Sequence, residues 1–561
     1  LKSEITLEYL QAKSGEKILK INEYYVQSKY NPFNEAKQIV ENNYTPHHVH
    51  IIFGYGCGYV VEEMLKRRAF QEKIIVIDPL FEHEQVEILH EGENLYLFDS
   101  SVISNFQLYL DSIALEARVS YKTFCLPNYD KIFPELFMEL LLKIKSVQYK
   151  NRTNDYTILR YAEEWQRNFI LNLRNIYSDS NIEVLQEKYS CPVIVASGGP
   201  SLNKQIPLLK KFRNSFILIA AGSTINSLLK NEIEPDYVVS IDGGEPNYKH
   251  FKDTQINNAE LIYSLQHHYK VNNSFHKKGY IIGTQGFEKL RGFLIDKLNI
   301  EFPILELGGS VAHSAFNVAQ YISTGPVALI GQDLAYTDNL THAEYNKNSR
   351  KVDEKFIKEH EAFLTAGYYD DQVWTSPVFN TMRLDFEALI TASPPKVPFF
   401  NCTEGGVKIK GFQQIPFKQF LEENCNLDNH IELYNNEINL TKKDIYFVYQ
   451  DLIKQLESLK DVLELGIESL QKIKSGNQFN HKLIKKLDKI EKDINKYLIE
   501  VPLDPITSAI SIELLNSYLP KENETKEETF ERVSLQTKTL YKRILDGVNI
   551  TTNFVMDAMK F

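Results

Sequence analysis

The stretch Pro192-Val193-Ile194-Val195-Ala196-Ser197-Gly198-Gly199-Pro200-Ser201-Leu202 decides the fold. Val193–Ala196 is a short apolar run rich in β-branched residues, which reads as a strand buried on both faces. It breaks into Ser-Gly-Gly-Pro-Ser and enters a helix-like segment. Gly198 and Gly199 permit unusual φ and close backbone approach. Ser201 stands where a helix N-cap is expected, and helix N-termini attract phosphate. A capped β–α turn without a ligand would use the same residues, so the neighbours of this turn must choose between the readings.

Outward from it, over about 190–425, strand-like runs alternate with helical segments. The runs are Pro192–Ala196, Ser215–Ala220, Tyr237–Ile241, Glu260–Ser264, Gly279–Ile282 and Val327–Ile330. This alternation predicts an α/β fold with a mostly parallel sheet and helices on both faces. Ligands then bind beyond the carboxyl ends of the strands. The residues expected there are Gly222, Asp242, Gly308-Gly309-Ser310 in LGGSVA, Gln332-Asp333 and Tyr336 in GQDLAY, Thr341-His342, and Thr403-Glu404 in NCTEGG. Small and polar residues at so many strand ends would line one edge, the outline of a nucleotide-sugar site.

The flanks differ in texture. Residues 1–150 read as an N-terminal α/β, Rossmann-like domain, with apolar runs at His50–Phe53 and Lys73–Ile77. Residues 151–428 form the central domain. Its leading helix places Ile158, Tyr161, Trp165, Phe169 and Leu173 near one face, a stripe read as core. From 429 to 561 the chain reads as helical. Leu452, Leu456, Leu459, Leu463, Ile467 and Leu470 step by three and four. After Gly476-Asn477 the pattern repeats at Leu483, Leu487, Ile490, Ile494 and Leu498, and Pro502 and Pro505 end it. This predicts a helical hairpin.

A second glycine cluster, Gly54-Tyr55-Gly56-Cys57-Gly58, follows strand-like residues, and Asp78 closes the next strand twenty positions after Gly58. That spacing suits a nucleotide-binding βαβ turn, nearer in form to an S-adenosylmethionine site than to a dinucleotide site. It equally suits a tight turn with no cofactor. No methyltransferase motif follows in 80–150, so no S-adenosylmethionine binding is expected.

Composition narrows the function. The 561 residues carry 63 Lys and Arg against 74 Asp and Glu, net −11, which disfavours a sequence-blind nucleic-acid binder. Five scattered cysteines (Cys57, Cys125, Cys191, Cys402 and Cys425) include no CxxC pair, which fits a reducing compartment rather than a zinc site or a disulfide framework. The N-terminal LKSEITLEYLQ has no apolar stretch behind a basic start, and no run is long enough to span a bilayer. A cytoplasmic protein without membrane insertion is expected.

Taken in order, SGGPSL, SIDGGEP, GGSVA, GQDLAYTDNLTHA and NCTEGGVKIKG resemble the motility-associated factor (Maf) glycosyltransferases of bacteria over about 190–425. The central block is also distantly similar to bacterial sialyltransferases that use CMP-sialic acid. The resemblance implies transfer of a nonulosonic acid (pseudaminic, legionaminic or sialic-type, or the related Kdo) from its CMP-activated donor to Ser or Thr hydroxyls of flagellin. It implies that Ser197, Gly198, Gly199, Pro200 and Ser201 face the nucleotide. Asp242 would meet ribose or cytosine, Gly309 and Ser310 the cytidine, and Asp333 and Tyr336 the phosphate. The implied general base is a histidine, for which His342 is the family-like candidate and His360 the weaker one. His313 departs from the small residue expected beside GGSVA. Asp242 and Asp333 leave a divalent cation such as Mg²⁺ open, and an oligomer is possible. As an exposed carboxylate, Asp333 is expected to titrate near 4. The rival readings are an ATP-dependent pterin diphosphokinase-like enzyme, a methyltransferase acting through the N-terminal cluster, and a non-enzymatic flagellin-binding assembly factor.

Overall fold

The computed structural model describes residues 5–560 apart from 70–71, 83–86, 104–105, 107–108, 111–119, 307, 393–396, 427–432, 434–439, 473–480 and 519–523. The chain divides into two compact units, Leu1–Thr157 and Ile158–Phe561. The 39-residue helix Pro134–Asn172 begins in the first and ends in the second.

The first unit opens with an antiparallel sheet of β1 (Leu7–Gln11), β2 (Lys17–Ile21) and β3 (Tyr24–Tyr25). A four-stranded parallel sheet follows, made of β4 (His48–Phe53), β5 (Ile74–Ile77), β6 (Leu95–Phe98) and β7 (Ser120–Cys125) in the order β6-β5-β4-β7. The two apolar runs read from sequence are β4 and β5, and both are almost wholly buried.

The second unit is built on a ten-stranded sheet. Its strands are β8 (Ser180–Asn181), β9 (Val193–Ala196), β10 (Ile217–Ala221), β11 (Tyr237–Ser240), β12 (Glu260–Ser264), β13 (Tyr280–Thr284), β14 (Ile304–Glu306), β15 (Val327–Ile330), β18 (Phe399–Asn401) and β19 (Gln413–Gln414). The order is β14-β13-β12-β11-β10-β9-β15-β18-β19, with β8 beside β13, and every pairing is parallel. β9 to β12 and β15 are buried along their whole length because helices cover both faces, so these strands read as unbroken apolar runs. The strand order reverses between β9 and β15. A small antiparallel hairpin, β16 (Phe363–Ala366) and β17 (Gln372–Thr375), stands outside the sheet.

The two expected arms at the C-terminal end are the helices Lys442–Gln471 and His481–Glu500, and the Gly476-Asn477 turn lies outside the described residues. Thr441 and Asp444 form a reciprocal cap on the first. Pro502 follows the second arm, and Pro505 opens the next helix, Asp504–Ser517. Leu452, Leu456, Leu459 and Leu463 are fully buried and share one core with Phe169, Leu173 and the strands of the sheet. Among the described residues, no helix is long and apolar enough to cross a membrane.

Candidate functional site

In a parallel sheet all carboxyl ends lie on one edge, and the crevice opens where strand order reverses. Here that point lies between β9 and β15, so the turns Ser197–Ser201 and Gly331–Asp333 meet. The Ser197 N–H donates to Ile330 O (2.9 Å) and the Gly199 N–H to Gly331 O (2.8 Å).

Below the crevice is a buried polar layer. The Ser201 hydroxyl donates to Asp333 Oδ1 (2.7 Å) and its N–H to Asp333 Oδ2 (3.2 Å). Ser197 Oγ donates to Gln332 Oε1 (2.6 Å), and the Gln332 N–H donates to Thr403 Oγ1 (3.3 Å). Gln205 bridges Cys402 O, Thr403 O and the Gly331 N–H. Glu404, at φ +53°, accepts the Phe417 N–H (3.0 Å) at the start of helix Phe417–Asn424.

This layer corrects several expectations. Asp333 is 2% exposed, and burial pushes its carboxyl up to about 6, against hydrogen bonds that pull it down. It is neither exposed nor near its ordinary value. Its oxygens occupy the N-terminal end of helix Leu202–Phe212, the place foreseen for a phosphate, and a carboxylate suits that position for the same reason. Ser201 is fully buried and spends its donors on Asp333. Gly199 is required from inside: a Cβ there would lie 2.0 Å from Asp333 Oδ1 and 2.5 Å from Gly331 O. Ser197, Pro200, Gln332 and Thr403 are likewise buried and belong to the supporting layer, whereas Glu404 is half-buried and caps the next helix. Tyr336 is 8% exposed, packs against Phe356 and Phe379, and is tied through its N–H to Trp374 O (2.9 Å) of the β16–β17 hairpin.

A second cluster gathers over half-buried Gly198. A Cβ at this residue would point toward Asn346 Nδ2 (2.9 Å), Thr224 Oγ1 (3.5 Å) and the His342 ring (3.8 Å), so three side chains converge over it. Asn346 Nδ2 donates to Ser223 Oγ (3.2 Å), while Thr224 Oγ1 is buried without a partner. His342 Nδ1 lies 3.1 Å from Thr341 Oγ1. Thr341 Oγ1 in turn donates to Asn348 O (3.2 Å), which assigns the His342 proton to Nδ1 and the lone pair to Nε2. Burial lowers the pKa of His342, so the ring is neutral at physiological pH. His360 instead lies on an exposed helix end and stacks on Phe356. The segment also holds backbone strain: Leu334, Asp338, Asn339 and Tyr345 all adopt positive φ. Such strain persists only where the surroundings impose it, and it clusters at functional sites.

Beyond β11, Asp242 is accessible yet crowded by protein, and that crowding raises its carboxyl above the ordinary range. Its carbonyl accepts from Asn247 Nδ2 (2.7 Å) and from the His268 N–H (3.1 Å). His268 lies between the Tyr248 and Tyr269 rings and takes the Lys270 N–H on Nδ1, turning its Nε2 toward Glu245 (3.3 Å). Gly222, at φ +46°, abuts Val311. Gly308 and Gly309 are exposed, and Ser310 Oγ pairs with His313 Nδ1 (2.7 Å). Fully buried His313 also reaches Met382 O (2.9 Å), so its larger side chain ties the loop to helix Pro377–Ala392. Leu307 lies outside the described residues. Among the described residues no three His, Cys, Asp or Glu side chains converge as a metal set, and both Asp333 oxygens accept from Ser201.

Sequence reasoning missed two groups. One is Thr224 and Asn346, beside the strand-end Ser223 and over Gly198, signalled only by the density of Asn in 339–348. The other is the buried pair Asn168 and Asn172. Asn168 Nδ2 donates to Gly243 O (2.9 Å) and Gln266 O (3.1 Å), and Asn172 Nδ2 to Leu265 O and His267 O (both 2.9 Å). Tyr161 and Trp165, read as core, instead rest beside Gly244 and Gly243.

In the first unit the glycine cluster is filled from within. Asp78 is 1% exposed and accepts from Tyr129 Oη (2.6 Å), the Tyr55 N–H (2.6 Å) and the Leu80 N–H (2.8 Å). The Tyr129 ring occupies the space beside Gly54, 2.8 Å from where a Cβ would stand. The acid expected at a ribose is already saturated.

The sequence family described as 6-hydroxymethylpterin diphosphokinase MptE-like matches residues 167–339, the segment that carries β9 to β15 and the crevice. No curated protein matches the chain. Among solved structures, the chain is similar to the Maf glycosyltransferase from Magnetospirillum magneticum AMB-1. The likeness covers 100% of this chain and 93% of that one, with a TM-score of 0.56 at 13% identity, and so extends to the whole fold.

Proposed function

We propose that the chain is a glycosyltransferase that moves a nonulosonic acid from a CMP-activated donor to Ser or Thr hydroxyls of flagellin in the cytoplasm. One observation carries the reading. The motif turns that resemble the Maf family meet at the reversal point of a parallel sheet, in a fold similar along its whole length to a protein named as a Maf glycosyltransferase.

The polar cluster over Gly198 suits the chemistry. Departure of CMP from a 2-keto sugar builds positive charge on the sugar ring and negative charge on the phosphate, and both need preorganised partners. Half-buried Gly198, Ser223 and His342 offer polar surface there, and buried Asn346 and Thr224 back them from beneath. Asp242, exposed beyond β11, takes the ribose or cytosine in this reading, the role that the resemblance implies. His342, neutral and with its lone pair on Nε2, takes the proton of the acceptor hydroxyl as the new C–O bond forms. A single displacement inverts the anomeric centre. No step is assigned to a metal ion.

The MptE-like match favours a second reading, an ATP-dependent diphosphokinase using the same crevice. Calorimetry with CMP, and with ATP and Mg²⁺, separates the two. Intact-mass analysis of flagellin co-produced with this chain and a nonulosonate pathway then tests transfer. Binding of ATP but not CMP, with unmodified flagellin, would refute the glycosyltransferase reading.

A further inference from the structure

Helix Pro134–Asn172 is apolar on two opposite faces. Leu140, Ile144 and Val147 turn into the core of the first unit and are at most 4% exposed. On the other side Met138, Leu142, Tyr149 and Tyr156 stand in solvent, 56%, 63%, 52% and 66% exposed. A soluble helix normally keeps its outer face polar, and a long apolar stripe marks an interaction surface.

The outer stripe is regular. Glu135, Met138, Leu142, Lys145, Tyr149, Arg152 and Tyr156 follow one another by steps of three and four, the seam of a helix pair. Its charges are polar along the axis, with Glu135 and Glu139 at the start and Lys145 and Arg152 farther on. None of these four makes an ion pair within the chain among the described residues. A parallel copy would set like charges against each other, whereas an antiparallel copy sets acid against base.

We propose that two copies of this chain pair antiparallel through this stripe, about a two-fold axis beside Leu142. Arg152 of each copy then faces Glu135 of the other, Tyr149 packs on Met138, and the Lys145 stem lies on Leu142 with its ammonium toward Glu139. Six layers are formed over about 25 Å of helix. A two-fold contact uses one patch twice, which is what a charge gradient along one helix provides. Two helix faces make a small interface, so the dimer is concentration-dependent.

Sedimentation equilibrium of the full chain tests this. The wild type is expected to dimerise, and Leu142→Glu to remain monomeric with an unchanged circular dichroism spectrum. Glu135→Arg and Arg152→Glu should each weaken the dimer about tenfold, and the double variant should recover wild-type affinity within about threefold. A wild type still monomeric at about 100 μM would overturn the proposal and leave the face to a different protein. A dimer insensitive to Leu142→Glu, or a double variant as weak as the singles, would overturn it equally.

Discussion

Gly198 and Gly199 are neighbours with different reasons to lack a side chain. At Gly199 the intruder would meet the Asp333 carboxylate and a backbone carbonyl, neither able to yield. Gly199→Ala is therefore expected to lower stability by about 1–3 kcal/mol, read by chemical denaturation. At Gly198 the nearest atom is the mobile end of Asn346. Gly198→Ala should fold normally and lose nucleotide affinity by calorimetry, and unchanged affinity would remove this cluster from the site. Asp333 gives a pH signature. Its folded pKa of about 6 lies above the ordinary 3.8, so between these values the folded chain keeps a proton that the unfolded chain has released. Stability falls as pH rises through that window. Asp333→Asn lacks this loss, and from pH 4 to 7 the stability difference should move toward the variant by up to about 3 kcal/mol. At His342, removal of the base should slow transfer about 10²–10⁴-fold with donor binding kept. The acidic limb of the wild-type rate profile should lie below pH 6.5, because burial lowers this imidazole. Equal turnover by His342→Ala would place the base elsewhere.

At the scale of elements, the loops after β11 and β12 are held by amide side chains from a distant helix. Asn168→Ala would strip partners from Gly243 O and Gln266 O and cost about 1–3 kcal/mol, with Asp242 loosened in consequence. Thermal unfolding and CMP affinity should fall together, and affinity surviving a clear loss of stability would show that Asp242 does not depend on this pin. The strands around the crevice were legible because burial on both faces writes them as unbroken apolar runs. Glu260–Ser264 and Val327–Ile330 coincide with β12 and β15. β14 and β18, of three residues each, show only through the glycine motifs at their ends, and the half-exposed hairpin β16–β17 leaves no such run and was missed. Of the site, the turns were legible because glycine marks them. The direction of their side chains was not. Asp333 and Ser201 read alike whether they face a ligand or each other, since a buried carboxylate at a helix N-terminus and a bound phosphate make the same demand on sequence.

For the whole molecule, the fold and the chemistry separate experimentally. A ligand at 100 times its dissociation constant adds about 2.7 kcal/mol of stability. CMP should therefore raise the melting temperature of the full chain, while S-adenosylmethionine, facing a recess filled by Tyr129, should not. A shift with S-adenosylmethionine would mean that Tyr129 swings out and that the first unit binds a ligand after all.

The pairing of β9 with β15 also sets a timetable. Val193 pairs with Val327, and Ser201 waits for a carboxylate 132 positions downstream. On the ribosome, at about 5–20 residues per second, that wait is roughly 7–26 s. Throughout it, an apolar strand lacks one neighbour and the glycine turn lacks its anchor. Contacts so distant in sequence are late contacts. Nascent chains arrested near residue 320 should therefore be cut readily within 193–212 by a protease, and chains released at full length should resist. The crevice is then a late product of synthesis, assembled only after β15 and the turn that follows it have emerged.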